Sequence, residues 1–421
     1  MTQQTIRKRL KTIFPFLAIM AEYVRSIKKL SVTLATKHPP VGENGIRIIC
    51  YEDVDAWILG KFAKKMHYYL GAFGNISDIA KVGDETAAIG HHIIYYDAEK
   101  KWAPVETFMI THLDQDWKIE KVKQQLELYD MGVCMSEETC DNLRKITTQP
   151  DRLCYINPAH DGVIRPRPIV LGIASKVHPD GRKKENAIID VMTRFPVDAF
   201  TLKIMGMGWE SQVATLTERG YRVEYFEKFD YAVYTAEFMP SLDYYIYFTH
   251  DEGAMAFVDA VAADVQTIVT PQGYHLDVVD GIDHRIDNQT DLVVVLQEIH
   301  DARMQRVARV ADWSWKEYTW RHLVLWDYLL LKTTPAIIEQ THKFLDETRT
   351  DNTVAANFQQ DLALPVPAEE TLLRATEKSK SLGMQELSLQ YARQRLIYYP
   401  KNSELKNLVL KHYPKVESVH D

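Results

Sequence analysis

The sequence predicts an α/β protein made of two doubly wound halves, and three observations carry that prediction. Apolar runs of strand length alternate with amphipathic stretches of helix length from about residue 45 to 331, the pattern of a mostly parallel sheet covered on both faces. The alternation stops at Arg165-Pro-Arg-Pro168, a stiff extended connection, and then restarts. Between Tyr244 and Gly273 the chain reads as strand, acidic turn, helix, strand and glycine turn. Such a βαβ unit places a helix N-terminus, with free N–H groups, at the carboxyl edge of a parallel sheet.

Composition bounds the rest. The chain has 421 residues, 46% hydrophobic and 26% charged, which fits a soluble globular protein of two or three domains. A net charge of -8 argues against nucleic-acid binding by the chain as a whole. Cys50, Cys134, Cys140 and Cys154 are scattered without a CxxC pair, as expected of reduced thiols in a cytoplasmic protein and not of a disulfide framework or zinc site. No run reaches the roughly 18–20 apolar residues that a membrane span needs.

Residues 1–30 set Arg7, Lys8, Arg9, Lys11, Arg25, Lys28 and Lys29 against a single acid, Glu22, on an apolar stripe of helical spacing. That combination suits a helix lying on an anionic membrane surface, or one packed on its own domain. Lys37 to Glu43 is a linker. In the first half, strands are expected at Ile46 to Cys50, His91 to Tyr96, Thr107 to Thr111, Met131 to Met135 and Leu153 to Ile156. Helices are expected at Ala56 to Leu70, Lys118 to Leu128 and, capped by Ser136, Glu137 to Ile146. The second half repeats the scheme. Its strands are Ile169 to Ala174, Thr201 to Met205, Arg222 to Tyr225, Tyr244 to Phe248 and Gln266 to Thr270. Its helices are Asn186 to Arg194, the one opened by Gly206-Met-Gly-Trp209, Ala254 to Ala263, Asp291 to Ala311 and Trp315 to Leu331. Beyond 332 three short helices are expected, one pair of tetratricopeptide type among them. A single such unit is not stable alone, so an appendix packed on the second domain is the plainer expectation. The divisions are then 1–43, 44–165, 166–331 and 332–421.

The second half resembles retaining, family-4-type GT-B glycosyltransferases. Leu242-Asp243, the acidic turn Thr249-His-Asp-Glu-Gly253, Asp259-Ala-Val-Ala-Ala-Asp-Val-Gln-Thr-Ile-Val269, Gly273 and Leu276-Asp-Val-Val-Asp-Gly281 follow the family's order. Asp312-Trp-Ser-Trp-Lys-Glu-Tyr318 resembles its closing helix, which returns toward the first domain. The resemblance implies a GT-B fold of two Rossmann-like domains facing a cleft. It implies transfer of a sugar from a nucleotide-diphosphate donor to an acceptor hydroxyl with retention, no metal or other cofactor, and a glycan or glycolipid acceptor.

It also implies site residues. The family's two acids are spaced E-x7-E. Asp251 and Asp259 have that spacing, whereas Glu252 precedes Gly253 as the family's first acid precedes its glycine; Glu252 is favoured, and Asp251 stays open. The first acid would lie against the donor sugar and Asp259 would take the ribose hydroxyls, since a carboxylate accepts both hydroxyls of a diol. Lys176, Arg182 and Lys183 occupy the basic loop that neutralises the diphosphate leaving group. Gly206, Gly208, Gly253, Ala254 and Met255 would shape the donor turn, Phe226 would lie near the base, and His112 would reach the donor sugar from the first domain. Asp114-Gln-Asp116 has the D-x-D form of metal-dependent GT-A enzymes, but that assignment leaves the second half unexplained. The same two halves would also suit a nucleotide-sugar epimerase, or a scaffold that binds a partner protein through residues 332–421.

Overall fold

The computed structural model describes residues 42–95, 100–349, 354–401 and 406–413. The basic N-terminal stretch, and Tyr96 at the end of one expected strand, lie outside them. By contact the chain divides into residues 1–162 with 312–421, and residues 163–311.

In the first unit, β1 (Ile46–Ile49), β2 (Ser77–Ala80), β3 (Ile89–His92), β4 (Val105–Ile110), β5 (Met131–Cys134) and β6 (Leu153–Tyr155) form one all-parallel sheet. Its order is β2-β1-β3-β4-β5-β6. Helix α1 (Ile58–Ala72) buries Phe62, Ala63, Met66 and Leu70, its 3.6-period apolar face. Helix α2 (Asp116–Leu128) buries Val122 and Leu126, and α3 (Glu137–Arg144) starts where the Ser136 side chain accepts the Thr139 N–H. Strand β2 was not expected: Ser77-Asp-Ile-Ala80 has no apolar alternation. It is held by the buried Arg47 of β1, which donates to both carboxylate oxygens of Asp78 at 3.0 and 2.7 Å.

In the second unit, β7 (Ile169–Ala174), β8 (Phe200–Met205), β9 (Arg222–Phe226), β10 (Tyr244–Tyr247), β11 (Gln266–Val269) and β12 (His284–Arg285) form a second parallel sheet of order β12-β11-β10-β7-β8-β9. Helices α4 (Glu185–Met192), α5 (Glu210–Glu218), α6 (Met255–Ala262) and α7 (Gln289–Ala308) connect and cover it. The α7 start is a reciprocal cap between Asn288 and Asp291. The chain winds outward from β7 to β9 and then returns to β10 on the other side of β7. The β7/β10 boundary is therefore the topological switch point, where open α/β sheets leave a crevice beyond their strand ends.

Helix α8 (Trp315–Leu331), expected as the returning helix that closes the 166–331 stretch, groups by contact with the first unit. Trp315, Tyr318, Trp326 and their neighbours join the core of the first unit with Phe62, Ile89 and Met109. The Trp326 indole donates to Thr107 Oγ1 at 3.0 Å. The C-terminal segment also packs on the first unit, not on the second as expected. It holds five helices instead of three among the described residues: α9 (Pro335–Arg349), α10 (Val354–Leu362), α11 (Glu369–Ser381), α12 (Gln385–Tyr398) and α13 (Lys406–Leu410). Gln390 of α12 donates to the Tyr328 carbonyl at 2.8 Å, and the Tyr398 hydroxyl to that of Asp151 at 2.7 Å. No helix among the described residues is long and apolar enough to cross a membrane.

Candidate functional site

A cavity of about 620 Å³ opens within the second unit beyond the ends of β7, β8, β9 and β10. Sequence dictates its floor. After β8 the chain must turn away beneath the β7 loop, and Gly206 permits this with φ +137; a Cβ there would stand 2.3 Å from the Ser175 carbonyl oxygen. The buried Trp209 then donates its indole N–H to the same oxygen at 2.7 Å. Two contacts from the β8 turn thus fix the loop that presents Lys176 to the cavity.

The opposite wall is the start of α6. Its cap residue, Ala254, is extended and offers no side chain to the first turn, so the N–H groups of Met255 and Ala256 have no intrahelical partner. The turn before the helix is closed from below. Gly273 has φ +49 and passes so close to Glu252 that a Cβ would meet its carbonyl oxygen at 2.1 Å. The fully buried His275 accepts the Ala254 N–H on Nε2 at 2.9 Å, and its Nδ1 contacts the Thr270 carbonyl at 3.2 Å. Burial pushes this imidazole below its ordinary pKa, which keeps Nε2 free to accept.

The acids separate clearly. The Asp251 side chain, 24% exposed, accepts Lys183 Nζ at 2.8 Å, the Tyr247 hydroxyl at 2.8 and 2.9 Å, and the Gly253 N–H at 3.1 Å. Burial raises its pKa, but the Lys183, Tyr247 and Gly253 donors outweigh burial and hold the carboxyl below its usual range. Glu252, the favoured first acid, is exposed. The helix-starting Glu-Gly pair pointed to it; the backbone of the turn instead directs the preceding residue inward. Asp259, one turn into α6, lines the cavity and accepts the Tyr234 hydroxyl at 2.7 Å.

The basic loop also sorts itself. Lys176 is exposed, lines the cavity and has no carboxylate partner among the described residues. Lys183 lines it too. Arg182 does not: it pairs with Asp180, two residues back, at 2.8 Å. Lys184 lies over the Phe248 ring at 4.0 Å. Gly206, Gly253, Ala254 and Met255 line the cavity, whereas Gly208 supports it, its N–H donating to Glu210 at 3.3 Å. Phe226 packs edge-on against Phe238 instead of facing the cavity. Its place is taken by residues that sequence reasoning missed. Phe229, Tyr231 and Tyr234, with Lys228, form an aromatic wall after β9. Phe229 and Tyr231 are 62% and 71% exposed. Asp230 caps this turn by accepting the N–H groups of Ala232 and Val233, and a π-helical turn at Tyr234–Phe238 follows. Four aromatic residues within Phe226 to Tyr234 are the signal that could have found it.

His112 belongs to the first unit. It is exposed just past β4, its carbonyl accepting the Tyr95 hydroxyl at 2.7 Å. Asp114 of the D-x-D triplet is ion-paired to Lys118 on α2. No group of three or more His, Cys, Asp or Glu side chains that could hold a metal ion occurs among the described residues. The four cysteines are free and buried.

No protein-family model matches the chain, and no curated protein matches it. Among solved structures the chain is similar to HepE of Anabaena in complex with UDP-glucose, at 9% identity over 66% of this chain and 97% of that one, TM-score 0.27. It is similar to sucrose-phosphate synthase from Thermosynechococcus elongatus, at 12% identity over 69% and 100%, TM-score 0.30. It is also similar to WaaG, a glycosyltransferase involved in lipopolysaccharide biosynthesis, at 14% identity over 65% and 94%, TM-score 0.28.

Proposed function

We propose that the chain is a GT-B-type glycosyltransferase whose second unit binds a nucleotide-diphosphate sugar in the cavity beyond β7 and β10. The observation that carries this reading is the chemistry gathered there. An uncapped helix N-terminus and the Lys176 ammonium offer positive charge to a phosphate. Asp259 on the cavity wall offers acceptors to ribose hydroxyls, Asp251, bonded to the lining residues Lys183 and Tyr247, offers acceptors to the sugar, and Phe229 and Tyr231 offer faces to a base. These are the parts of a nucleotide sugar, on the switch point where such folds take ligands.

Breaking the bond between the sugar and the diphosphate leaves negative charge on the leaving phosphate. Lys176, Lys183 and the first-turn N–H groups of α6 are the groups that would stabilise it. The resemblance around Asp251 to Asp259 extends the proposal to retention of configuration, to a reaction without a bound metal, and to a glycan or glycolipid acceptor. The basic residues 1–30 extend it to contact with an anionic membrane on the cytoplasmic side.

The test is calorimetric titration with nucleoside diphosphates and nucleotide sugars, followed by a transfer assay with the donor that binds. Saturable binding lost on Lys176→Ala supports the reading. No binding of any uridine or guanosine diphosphate sugar overturns it.

A further inference from the structure

Of the three lysines that line the cavity, Lys176 and Lys183 are in opposite states. Lys176 has no carboxylate partner among the described residues. Lys183 donates to Asp251 Oδ2 at 2.8 Å and to the Tyr247 hydroxyl oxygen at 2.7 Å, with its ammonium 4.7 Å from the centre of the Tyr247 ring. Tyr247 in turn donates to the Asp251 carboxylate, within 2.8 and 2.9 Å of its two oxygens. The three side chains close a ring of hydrogen bonds at the end of β10.

The members of this ring differ in freedom. Asp251 is fixed from two sides: its backbone N–H donates to Gln272 Oε1 at 3.1 Å, and its Oδ1 accepts the Gly253 N–H at 3.1 Å. Tyr247 is the last residue of a strand and is buried. Lys183 has a flexible four-carbon stem on a loop. A ligand can move the lysine and cannot move the acid. A phosphate that takes Lys183 alone leaves a half-buried carboxylate without its counter-ion, which is costly. A ligand that also brings hydroxyl donors to Asp251 replaces what the lysine supplied.

We propose that Tyr247 and Asp251 form a built-in counter-ion for Lys183, so that the cavity yields this lysine to a diphosphate only in exchange, and favours a diphosphate bearing a sugar over the bare nucleoside diphosphate. Tyr247 is then a positioning residue. This rests on the nucleotide-sugar reading above. It gives the site a means of releasing the diphosphate product: once the sugar has left, Asp251 competes again for Lys183.

The experiment is isothermal titration of the full chain with UDP and UDP-glucose, and in parallel with GDP and GDP-mannose, for wild type, Asp251→Asn and Tyr247→Phe. Removing the competitor frees Lys183. Asp251→Asn should therefore bind the bare diphosphate about tenfold more tightly than wild type, with Tyr247→Phe shifted the same way by less. A role confined to touching the sugar leaves diphosphate affinity unchanged, and a role confined to holding the fold lowers it. Either result, in a variant with a wild-type melting curve, overturns the proposal. Should Asp251→Asn fail to fold, Tyr247→Phe alone decides, by the sign of its shift. A wild type that binds neither pair refutes the nucleotide-sugar reading and this inference with it. A wild type that binds, with variants that do not tighten, refutes this inference alone.

Discussion

His275 Nε2 accepts the backbone N–H of Ala254 at 2.9 Å. That bond, made by a fully buried ring packed 4.2 Å from the Phe257 ring centre, ties the glycine turn after β11 to the first residue of the helix wall. Removing it leaves a buried N–H unsatisfied and a void beneath Gly253. We expect His275→Ala to cost about 2–4 kcal/mol in urea unfolding and to weaken nucleotide binding through the displaced turn. Protonation would set an N–H against the Ala254 N–H. Since burial depresses the pKa of this imidazole, its contribution is complete above the ordinary histidine range and declines as pH falls below it. Wild-type unfolding and UDP titration at pH 7.5 and 5.5 check this; a pH-independent stability difference between wild type and His275→Ala counts against it.

Lys176 and Arg182 stand six residues apart in the same basic loop, yet only Lys176 lines the cavity while Arg182 is bound to Asp180. Their truncations should diverge. Lys176→Ala removes an unopposed charge from the phosphate position and should weaken diphosphate binding about tenfold or more. Arg182→Ala should stay within about threefold, as exposed ion pairs contribute little. Equal losses in the two titrations would contradict the assignment.

Much of the scaffold is legible in the sequence because burial on both faces leaves an unmistakable mark. Strand β7 and helix α8 have the bounds that their apolar runs predict, and the acidic turn sits where Tyr244 to Phe248 breaks off. The sequence does not show which of two adjacent carboxylates turns inward. Asp251 has the spacing to Asp259 and Glu252 the place before Gly253, so the two cues disagree, and the choice is made by Gly253, Tyr247 and Gln272 in three dimensions. Strand β2 is illegible for a related reason: its register partner Arg47 is a charged residue in a buried strand, explained by its ion pairs with Asp78 and Asp84. The return of α8 to the first unit is implied by the resemblance at Asp312 to Tyr318, whereas the packing of α12 there is a long-range relation that local periodicity does not encode. Helix α9 went unforeseen although Ile337 and Phe344 are buried two helical turns apart, because two apolar anchors in a polar stretch make a weak periodic signal.

Asp114 is ion-paired to Lys118 at the start of α2, which gives the D-x-D triplet a helix-end role. A metal-dependent mechanism built on Asp114 and Asp116 requires both for activity. The proposed mechanism requires neither. Asp114→Ala should retain transfer activity within about twofold, the loss of an exposed i,i+4 pair being small. Activity should also survive an excess of EDTA. Loss of transfer in either assay, restored by Mg²⁺ or Mn²⁺ in the second, would return the metal-dependent mechanism.

His91 and His322 meet edge-on at 4.9 Å in the core of the first unit, both fully buried. His91 Nδ1 contacts the Thr107 hydroxyl, and His322 Nδ1 the Tyr318 carbonyl, each at 2.9 Å, while neither Nε2 has a partner among the described residues. Burial lowers both imidazoles, His322 to about 4. In the unfolded chain they take a proton near pH 6.5. Their neutral burial is therefore unpenalised above pH 6.5. As pH falls from 6.5 toward 4 the unfolded state binds protons that the native state refuses, and stability drops, for His322 alone by about 3 kcal/mol when fully developed. Urea midpoints measured between pH 7.5 and 4.5 should fall steeply in wild type and less steeply in His322→Leu, which cannot bind the proton in either state. Parallel slopes would show that these two rings do not govern the acid sensitivity of the unit.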